Sequence, residues 1–264
     1  MARQGRKNEE RKEVKDLEKR PIIEPEDEKA QLEIRELSKE EKMEKRREDE
    51  KEDAIARWVP KTKIGKAIKE GKKIDIDEIL ETSKILEYQL VDKILLLKSD
   101  MIQIGQSKGK FGGGKRRIWR QTQKKSSEGN VTNFGCMAVV GDSNGHVGLG
   151  YGKARETLPS KEKSLRDAKL NIMKVTRGCG SFDCACSEPH SIPYAVKGKC
   201  GSAIIKLIPA PKGTGLVIEN ECKKILKLAG IKDIYSRTFG QTNTKINLMK
   251  ACIDALKNIN KIKK

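Results

Sequence analysis

Apolar and polar positions alternate most regularly in the middle of the chain. Residues 134–140 have the apolar spacing of a short strand, the polar residues 142–145 supply a turn, and residues 146–151 resume the strand pattern. The pattern predicts a tight hairpin. From Pro159 to about residue 174, the spacing of Leu165, Ala168 and Ile172 predicts a helix.

Shorter elements precede this hairpin. Apolar residues at helical spacing predict one helix from residue 64 that ends at Gly71, and a second over 74–80 with Asp75 or Asp77 as its N-cap. Residues 85–97 are interpreted as a connector that leads into a strand near 101–104.

The last third of the chain predicts a second mixed unit. Its expected order is a strand at 191–196, a turn at 198–201, a strand at 203–208 and a helix at 220–229 that stops at Gly230. A short strand at 231–235, a polar loop at 237–243 and a closing helix at 246–256 complete the prediction.

Charge divides the chain unevenly. Residues 1–53 contain 16 basic and 19 acidic residues, and so few apolar ones that we expect a disordered or extended, partly helical tail. Residues 54–264 contain 41 basic against 19 acidic residues, a net charge of +22. Such a field favours nucleic acid as partner, and the 4% aromatic content favours contacts to backbone and shape over base stacking. We expect a soluble, cytoplasmic protein without membrane spans.

Two basic segments are candidates for RNA contact. In the first, residues 106–123, glycines lie between cations, a combination that suits a loop lying along phosphates. Phe111 and Trp119 either stack on exposed bases or hold the loop to the protein. The second is a predicted loop, 122–130, whose turn places Lys124 and Lys125 near its tip.

Enzymatic motifs fail on spacing. Gly152-Lys153 is followed by Ala154, and Val147 stands where a phosphate-binding loop needs its first glycine; the dinucleotide-binding fingerprint fails as well. Lys153 and the strand-to-helix turn suit an RNA phosphate better than a nucleotide cofactor. The sequence places no acid or nucleophile beside His146, which disfavours a catalytic role.

A cysteine cluster suggests a metal. Cys179, Cys184, Cys186 and His190 offer three thiolates and an imidazole within twelve residues, a donor set that suits tetrahedral Zn²⁺. The alternative is a loop of reduced cysteines. The other four cysteines lie on strand or helix patterns and are expected to be buried apolar residues.

Several stretches resemble the small-subunit ribosomal protein S-five family, called S-two in eukaryotes. They span most of residues 120–258 in order, and PAPKGTG at 209–215 is specific. WVPKTKIG at 58–65 and the cysteine-rich loop resemble the archaeal and eukaryotic branch, the archaeal side more closely. The matching pieces are VVGDSNGHVGLGYGKARE (139–156), AKLNI (168–172), EPHSIP (188–193), GKCGSAIIKLIPAPKGTGLV (198–217) and LAGIKDIYSRTFGQTNTKINLMKACIDAL (228–256).

The resemblance implies an α+β fold in two domains. The first is similar to a double-stranded-RNA-binding domain, and the second contains a left-handed βαβ crossover. With the patterns above, it predicts a charged tail (1–53), a helical lead-in (54–98), an RNA-binding domain of three strands and a helix (99–178), a Cys/His loop (179–190) and a C-terminal domain (191–264).

The resemblance also implies a function. Members bind small-subunit ribosomal RNA near the messenger entry channel beside the proteins S-four and S-three, help to open structured messenger RNA and affect decoding accuracy. We therefore expect a ribosome-bound structural protein that is not an enzyme and not a homo-oligomer. Alternatives are a free RNA chaperone or duplex-RNA-binding regulator, and a phosphate-handling transferase that lacks an acid/base constellation here.

The candidate RNA-binding residues are all cationic, and the resemblance itself carries over Lys124 and Lys125. The full set is Lys108, Lys110, Lys115, Arg116, Arg117, Arg120, Lys124, Lys125, Lys153, Arg155, Lys161, Lys212, Arg237 and Lys245.

Overall fold

The computed structural model describes residues 55–72, 75–106, 116–186 and 188–261, and Trp58–Lys264 form one compact unit. The predicted tail and the candidates Lys108, Lys110, Lys115 and Phe111 lie outside the described residues. The helices are α1 (Lys63–Lys69), α2 (Ile76–Thr82), α3 (Tyr88–Ile94), α4 (Thr157–Leu170), α5 (Asn220–Leu228) and α6 (Lys245–Lys261). The strands are β1 (Lys98–Ile102), β2 (Arg120–Ser126), β3 (Gly129–Gly141), β4 (His146–Ala154), β5 (Ile172–Lys174), β6 (Val196–Cys200), β7 (Ala203–Pro209), β8 (Leu216–Val217) and β9 (Ile234–Phe239).

Three short helices lead into the sheets. Thr62 caps α1 through its hydroxyl, which accepts a hydrogen bond from the backbone N–H of Gly65 at 3.0 Å. Gly71 ends this turn at φ 92°. The predicted connector at 85–97 was wrong in part, because it contains α3; a short apolar run does not distinguish a buried helix from an extended segment. Leu90 and Val91 are buried in a small core cluster with Trp58.

The first sheet is antiparallel throughout and has β3 at its centre. The order is β1-β3-β4-β5, and β2 also pairs with β3 beyond the end of β1. The predicted hairpin around 142–145 is confirmed. The predicted loop at 122–130 was wrong in extent, because β2 and β3 pair along it and leave only residues 127–128 as the turn. The predicted helix to residue 174 also ended too late: α4 stops at Leu170, and residues 172–174 form β5.

Helix α4 packs on one face of the first sheet through glycines of β4. A Cβ at Gly150 would overlap with the backbone of Ser164 and Ala168, and Gly148 and Gly152 meet the same helix. Small residues at alternate strand positions let the helix approach the sheet at backbone contact. Ser160 then closes the contact, since its hydroxyl donates to the carbonyls of both Phe134 and Gly152.

The second sheet has the order β6-β7-β9-β8. Its β8 and β9 run parallel and are joined by α5, which forms a βαβ unit. The predicted strand at 191–196 was wrong: only Val196 belongs to a strand, and the preceding carbonyl of His190 accepts from the N–H groups of Lys232 and Asp233 instead. The predicted strand at 231–235 begins late, at Ile234, and runs to Phe239, so Arg237 lies on a strand rather than in a loop.

A shared core joins the two sheets. The face of β3 and β4 opposite α4 contributes Met137, Val139 and Val147 to a buried cluster that also contains Ile205 of β7 and Ile225 of α5. Two polar contacts fix α5 under β1: Glu221 accepts from the N–H of Gln103 at 2.9 Å, and Lys224 donates to the carbonyl of Met101 at 2.8 Å. Among the described helices, none has the length and apolar character to cross a membrane.

Candidate nucleic-acid interface and metal centre

A two-stranded ribbon of β2 and the start of β3 projects from the first sheet. All seven residues of β2 are exposed, as are Gly129, Asn130 and Val131 of β3. Ribbon residues therefore have solvent on both faces, and the cations on β2 are presented without a supporting core. A polar strand is held in place here by its backbone ladder with β3, since it has no apolar side to bury.

Register places three of the predicted cations on one face. Arg120 of β2 and Lys153 of β4 both pair with Gly135, one on each side, so the three residues form a row across the sheet. Lys124 lies four residues along β2 and points to the same face as Arg120. Because Gly152 faces α4, this row lies on the opposite face, which is open at this end. We call Arg120, Lys124 and Lys153 the ribbon face.

The glycine at the centre of that row leaves space for an aromatic ring. A Cβ at Gly135 would overlap with the hydroxyl of Tyr151, which is 39% exposed on the same face. The strand spacing of about 4.8 Å puts the backbones of Arg120 and Lys153 roughly 10 Å apart. Two cations with a phenol ring between them form a shallow polar surface of the kind that contacts a nucleic-acid backbone.

The end of the first basic segment is tied back to the protein. Gly105 donates from its N–H to the carbonyl of Arg117 at 2.8 Å, and Arg117 donates to the carbonyl of Gln106 at 3.3 Å. The ammonium group of Lys161 lies 5.6 Å from the ring centroid of Trp119. Of the two roles considered for Trp119, the structure thus shows a contact within the protein.

The remaining candidate cations differ in their surroundings. Arg155 is exposed at the end of β4, and Arg116 and Arg117 lie just before β2. Lys212 is 2.8 Å from Glu188, whose hydrogen bond raises the pKa of Lys212. Lys245 is only 16% exposed and lies 2.6 Å from Glu219.

The cysteine cluster converges on one point. The donor atoms of Cys179, Cys184, Cys186 and His190 all lie within 4.8 Å of one another. The Cys184 sulfur is 3.0 Å from that of Cys186 and 3.7 Å from Nε2 of His190, and the sulfurs of Cys186 and Cys179 are 3.6 Å apart. Hydrogen bonding between the Cys184 and Cys186 thiols lowers the pKa of Cys184 to about 6 and raises that of Cys186 to about 11.

Backbone pairing closes the loop that carries these residues. Gly178 and Ser191 exchange two N–H to carbonyl hydrogen bonds, each of 2.9 Å. The imidazole of His190 is buried, and its Nδ1 lies 2.8 Å from Oδ2 of Asp233. That contact leaves Nε2 to face the three sulfurs, which is the orientation a metal-binding histidine requires.

His146 has two carboxylate partners, contrary to the expectation from sequence. Its Nδ1 is 2.6 Å from Asp142 and its Nε2 is 2.9 Å from Asp77 of α2, which also binds Lys174 at 2.5 Å. Burial would raise the pKa of Asp142, but hydrogen bonds from His146 and from backbone N–H groups outweigh it and leave the pKa lowered. The cluster joins the hairpin turn to α2, and the i,i+4 spacing of Asp142 and His146 was the available signal.

The same balance holds at the other carboxylate of this cluster. Burial would raise the pKa of Asp77, and hydrogen bonds from Lys174 and His146 outweigh it, so the pKa lies below its ordinary value. Each ring nitrogen of His146 is occupied by a carboxylate, which leaves the imidazole no free atom for proton transfer. The cluster therefore has a structural role, which is to hold the hairpin turn against α2.

Comparison with known proteins gives consistent matches. The N-terminal domain of ribosomal protein S5 matches residues 118–176, and the C-terminal domain of ribosomal protein S5 matches residues 198–264. The small ribosomal subunit protein uS5 of Nanoarchaeum equitans is 48% identical over 211 residues, which cover 79% of this chain and 90% of that protein. The uS5 proteins of Staphylothermus marinus and Methanocaldococcus jannaschii are 44% and 43% identical over 208 residues, covering 78% of this chain and 90% and 89% of theirs.

Proposed function

The chain belongs to the family of small ribosomal subunit protein uS5, and from that premise we propose that it anchors small-subunit ribosomal RNA through the ribbon face. Family membership confirms the predicted resemblance and a structural rather than enzymatic role, and the relatives named above support the archaeal type. The observation that supports the RNA contact is the placement of Arg120, Lys124 and Lys153 on one open face.

The charge of this face fits a phosphate backbone. Lysine and arginine contacts to phosphates release counterions, and this release supplies a salt-dependent, sequence-independent part of nucleic-acid affinity. Within the described residues, no carboxylate forms an ion pair with any of the three cations of the ribbon face. They retain their full charge for a polyanion.

We extend the proposal to the place of this contact in the ribosome. The RNA lies near the messenger entry channel, the neighbours are the small-subunit proteins S-four and S-three, and the protein contributes to opening structured messenger RNA and to decoding accuracy. The first sheet with α4 acts as a double-stranded-RNA-binding-like unit, and the βαβ crossover of the second sheet is left-handed. The family resemblance supports these points.

A salt titration tests the ribbon face. Binding of the full chain to small-subunit ribosomal RNA is measured between 50 and 300 mM salt, for the wild type and for Arg120→Gln/Lys124→Gln/Lys153→Gln. Each lost phosphate contact makes the negative slope of log affinity against log salt shallower by about 0.7–0.9, so we expect its magnitude to decrease by about 2–3. Lys63→Gln/Lys66→Gln/Lys84→Gln removes the same charge from exposed positions elsewhere and is the matched control. Equal slopes for the two triple variants would show that the ribbon face does not contact the RNA.

Sedimentation separates a ribosomal component from a free RNA-binding protein. Cell extract is run on gradients at low and high salt, and each fraction is probed for this chain. Co-migration with small subunits that persists at high salt is the expected result. A large free pool would instead favour the RNA chaperone or duplex-binding regulator.

We also propose that Cys179, Cys184, Cys186 and His190 bind one structural Zn²⁺. Tetrahedral zinc with sulfur ligands at about 2.3 Å requires sulfurs about 3.7 Å apart, and the sulfurs of Cys179 and Cys186, 3.6 Å apart, fit that requirement. The sulfurs of Cys184 and Cys186, 3.0 Å apart, would have to separate by about 0.7 Å on binding the ion. The ion would hold the loop closed where no core is available. Metal analysis of protein purified under reducing conditions is expected to give about one zinc per chain, and none for Cys184→Ser/Cys186→Ser. A metal-free wild type would refute the proposal.

A further inference from the structure

A basic cleft lies beside the Cys/His cluster, and His190 is one of its lining residues. It has a volume of about 740 Å³ and opens between the β3–β4 turn, residues 188–190, and α5 with the residues that follow it. Glu188 is the acidic residue among its lining, and Lys212 already pairs with that carboxylate at 2.8 Å. The cationic lining residues are Arg177, Lys223, Lys227 and Lys232.

Lys223 and Lys227 form no ion pair with a carboxylate among the described residues, whereas Glu188, which is hydrogen-bonded to Lys212, also interacts electrostatically with Lys232. Lys223 and Lys227 are four residues apart on α5 and share one face of that helix. Like charges at this spacing destabilise a helix by a few tenths of a kcal/mol. Lys232 follows just after the helix and adds a third positive charge to the same cleft. A bound anion would relieve this repulsion.

Arg177 is held in position by the hairpin turn. One terminal nitrogen of its guanidinium donates to the carbonyl of Asn144 at 2.7 Å. Gly230 gives the guanidinium room, because a Cβ there would lie 2.8 Å from the other terminal nitrogen. Since a guanidinium has five N–H donors, most of them remain for a ligand, in a planar fork that matches phosphate.

The backbone around the cleft is also fixed. Ser143 adopts φ 63° and donates from its N–H to the carbonyl of Leu228 at 2.9 Å, so the turn is joined to the end of α5. Gly230, at φ 78°, lies directly against the carbonyl of Ser143. These contacts hold Arg177 and the lysines of α5 in a constant relation without a ligand, and such preorganisation reduces the entropic cost of binding.

We propose that this surface, the Arg177 cleft, binds the phosphate backbone of a ribosomal RNA segment separately from the ribbon face. The inference rests on the proposed function, because it takes RNA to be the partner. Four cations around a concave wall match successive phosphates better than a flat patch does, and clefts of one sign concentrate the field. The net charge of +22 over residues 54–264 favours RNA over an acidic peptide. RNA carries a negative charge on every phosphate of its backbone, whereas a peptide carries negative charges only on some of its side chains.

Salt-dependent binding separates this cleft from the ribbon face. The full chain is titrated with small-subunit ribosomal RNA as wild type, as the cleft variant Lys223→Gln/Lys227→Gln/Lys232→Gln, as the ribbon-face variant above and as the Lys63→Gln/Lys66→Gln/Lys84→Gln control. We expect the slope of log affinity against log salt to decrease by about 2–3 for the cleft variant and for the ribbon-face variant, and to stay unchanged for the control.

Chemical footprinting of the wild type avoids any dependence on the folding of variants. Lysines are acetylated with and without the RNA, and the modification is quantified residue by residue. Protection of Lys223, Lys227 and Lys232, with Lys63 and Lys66 equally reactive in both samples, is the expected result. Equal reactivity of the three cleft lysines with and without RNA would overturn the inference.

The outcomes distinguish the two proposals. If the slope of log affinity against log salt decreases for the ribbon-face variant but stays at the wild-type value for the cleft variant, the cleft inference fails and the proposed function stands. If the wild type does not bind the RNA, both fail. Protection of the cleft lysines by polyglutamate but not by RNA would assign the cleft to an acidic protein and overturn the inference.

Discussion

The imidazole of His190 contacts the carboxylate of Asp233 at 2.8 Å between Nδ1 and Oδ2, and the two side chains are 3% and 6% exposed. The other carboxylate oxygen, Oδ1, accepts hydrogen bonds from the N–H groups of Gly213 and Gly215 at 3.1 and 2.8 Å. One buried acid therefore joins the cysteine loop to the loop that precedes β8. Sequence separates these residues by more than forty positions.

This contact predicts that Asp233→Asn weakens zinc binding. An outer carboxylate fixes the tautomer of a metal-binding histidine and raises its basicity, and its loss reduces metal affinity by about 10–100-fold. Competition of the full chain against a chelator of known affinity measures the change. Asp183→Asn, an exposed position in the same loop, is the control and is expected to match the wild type. Equal affinities for all three proteins would count against the role of Asp233.

The glycines of β4 predict a specific packing defect. Gly150→Ala would place a methyl group into the backbone of α4 at Ser164 and Ala168, so helix and sheet must separate. We expect a loss of about 1–3 kcal/mol in the free energy of unfolding, measured by urea denaturation. The matched control is Gly178→Ala, where the nearest atom to a new Cβ is 3.4 Å away, an ordinary contact. If Gly178→Ala lowered the free energy of unfolding and Gly150→Ala did not, the proposed packing of α4 on β4 would be contradicted.

The cluster around His146 predicts sensitivity to acid. The pKa values of Asp142 and Asp77 are lower in the folded protein, so both carboxylates contribute stability above their ordinary pKa of about 4. That contribution disappears as the pH falls from about 4 through the lowered folded-state values. Urea midpoints measured from pH 6 to pH 2.5 should fall less steeply for Asp142→Asn than for the wild type. Parallel curves would show that Asp142 does not carry this linkage.

Lys245 is predicted to stabilise the fold rather than bind RNA. Its ammonium group contacts Glu219 at 2.6 Å, and the same Glu219 caps α5 by accepting from the N–H groups of Glu221 and Cys222. Lys245→Gln should lower the free energy of unfolding by about 1–2 kcal/mol, because a charged hydrogen bond is lost from a partly buried site. The salt slope of RNA binding should not change. Arg237→Gln, on the exposed end of β9, is the comparison with no expected effect on stability.

Local patterns located many elements of this protein. The turn residues 142–145 and the alternation on either side predicted the β3–β4 hairpin, and Gly230 marked the end of α5 at φ 78°. Periodicity failed at α3, because a short apolar run fits both a buried helix and an extended segment and the tertiary contacts decide between them. It failed again at residues 191–195, whose apolar run resembles a strand while the chain pairs through His190 with residues 232–233.

The composition of the Cys/His cluster was likewise predictable, because all four side chains lie within twelve residues. Its supporting acid was not, since nothing near Asp233 in sequence connects it to His190. The same holds for His146 and Asp77, which meet only because α2 packs beside β5.

The sequence by itself determined the family, the basic character of residues 54–264 and the composition of the Cys/His cluster, because each is a property of residue types and short spacings. Tertiary structure alone decided which cations lie together. Strand register placed Arg120 and Lys153 on either side of Gly135, and the packing of the hairpin turn on α5 brought Arg177 to Lys223 and Lys227. Those contacts depend on pairing between strands and on helix packing, which bring together residues too far apart in the chain for local pattern to connect.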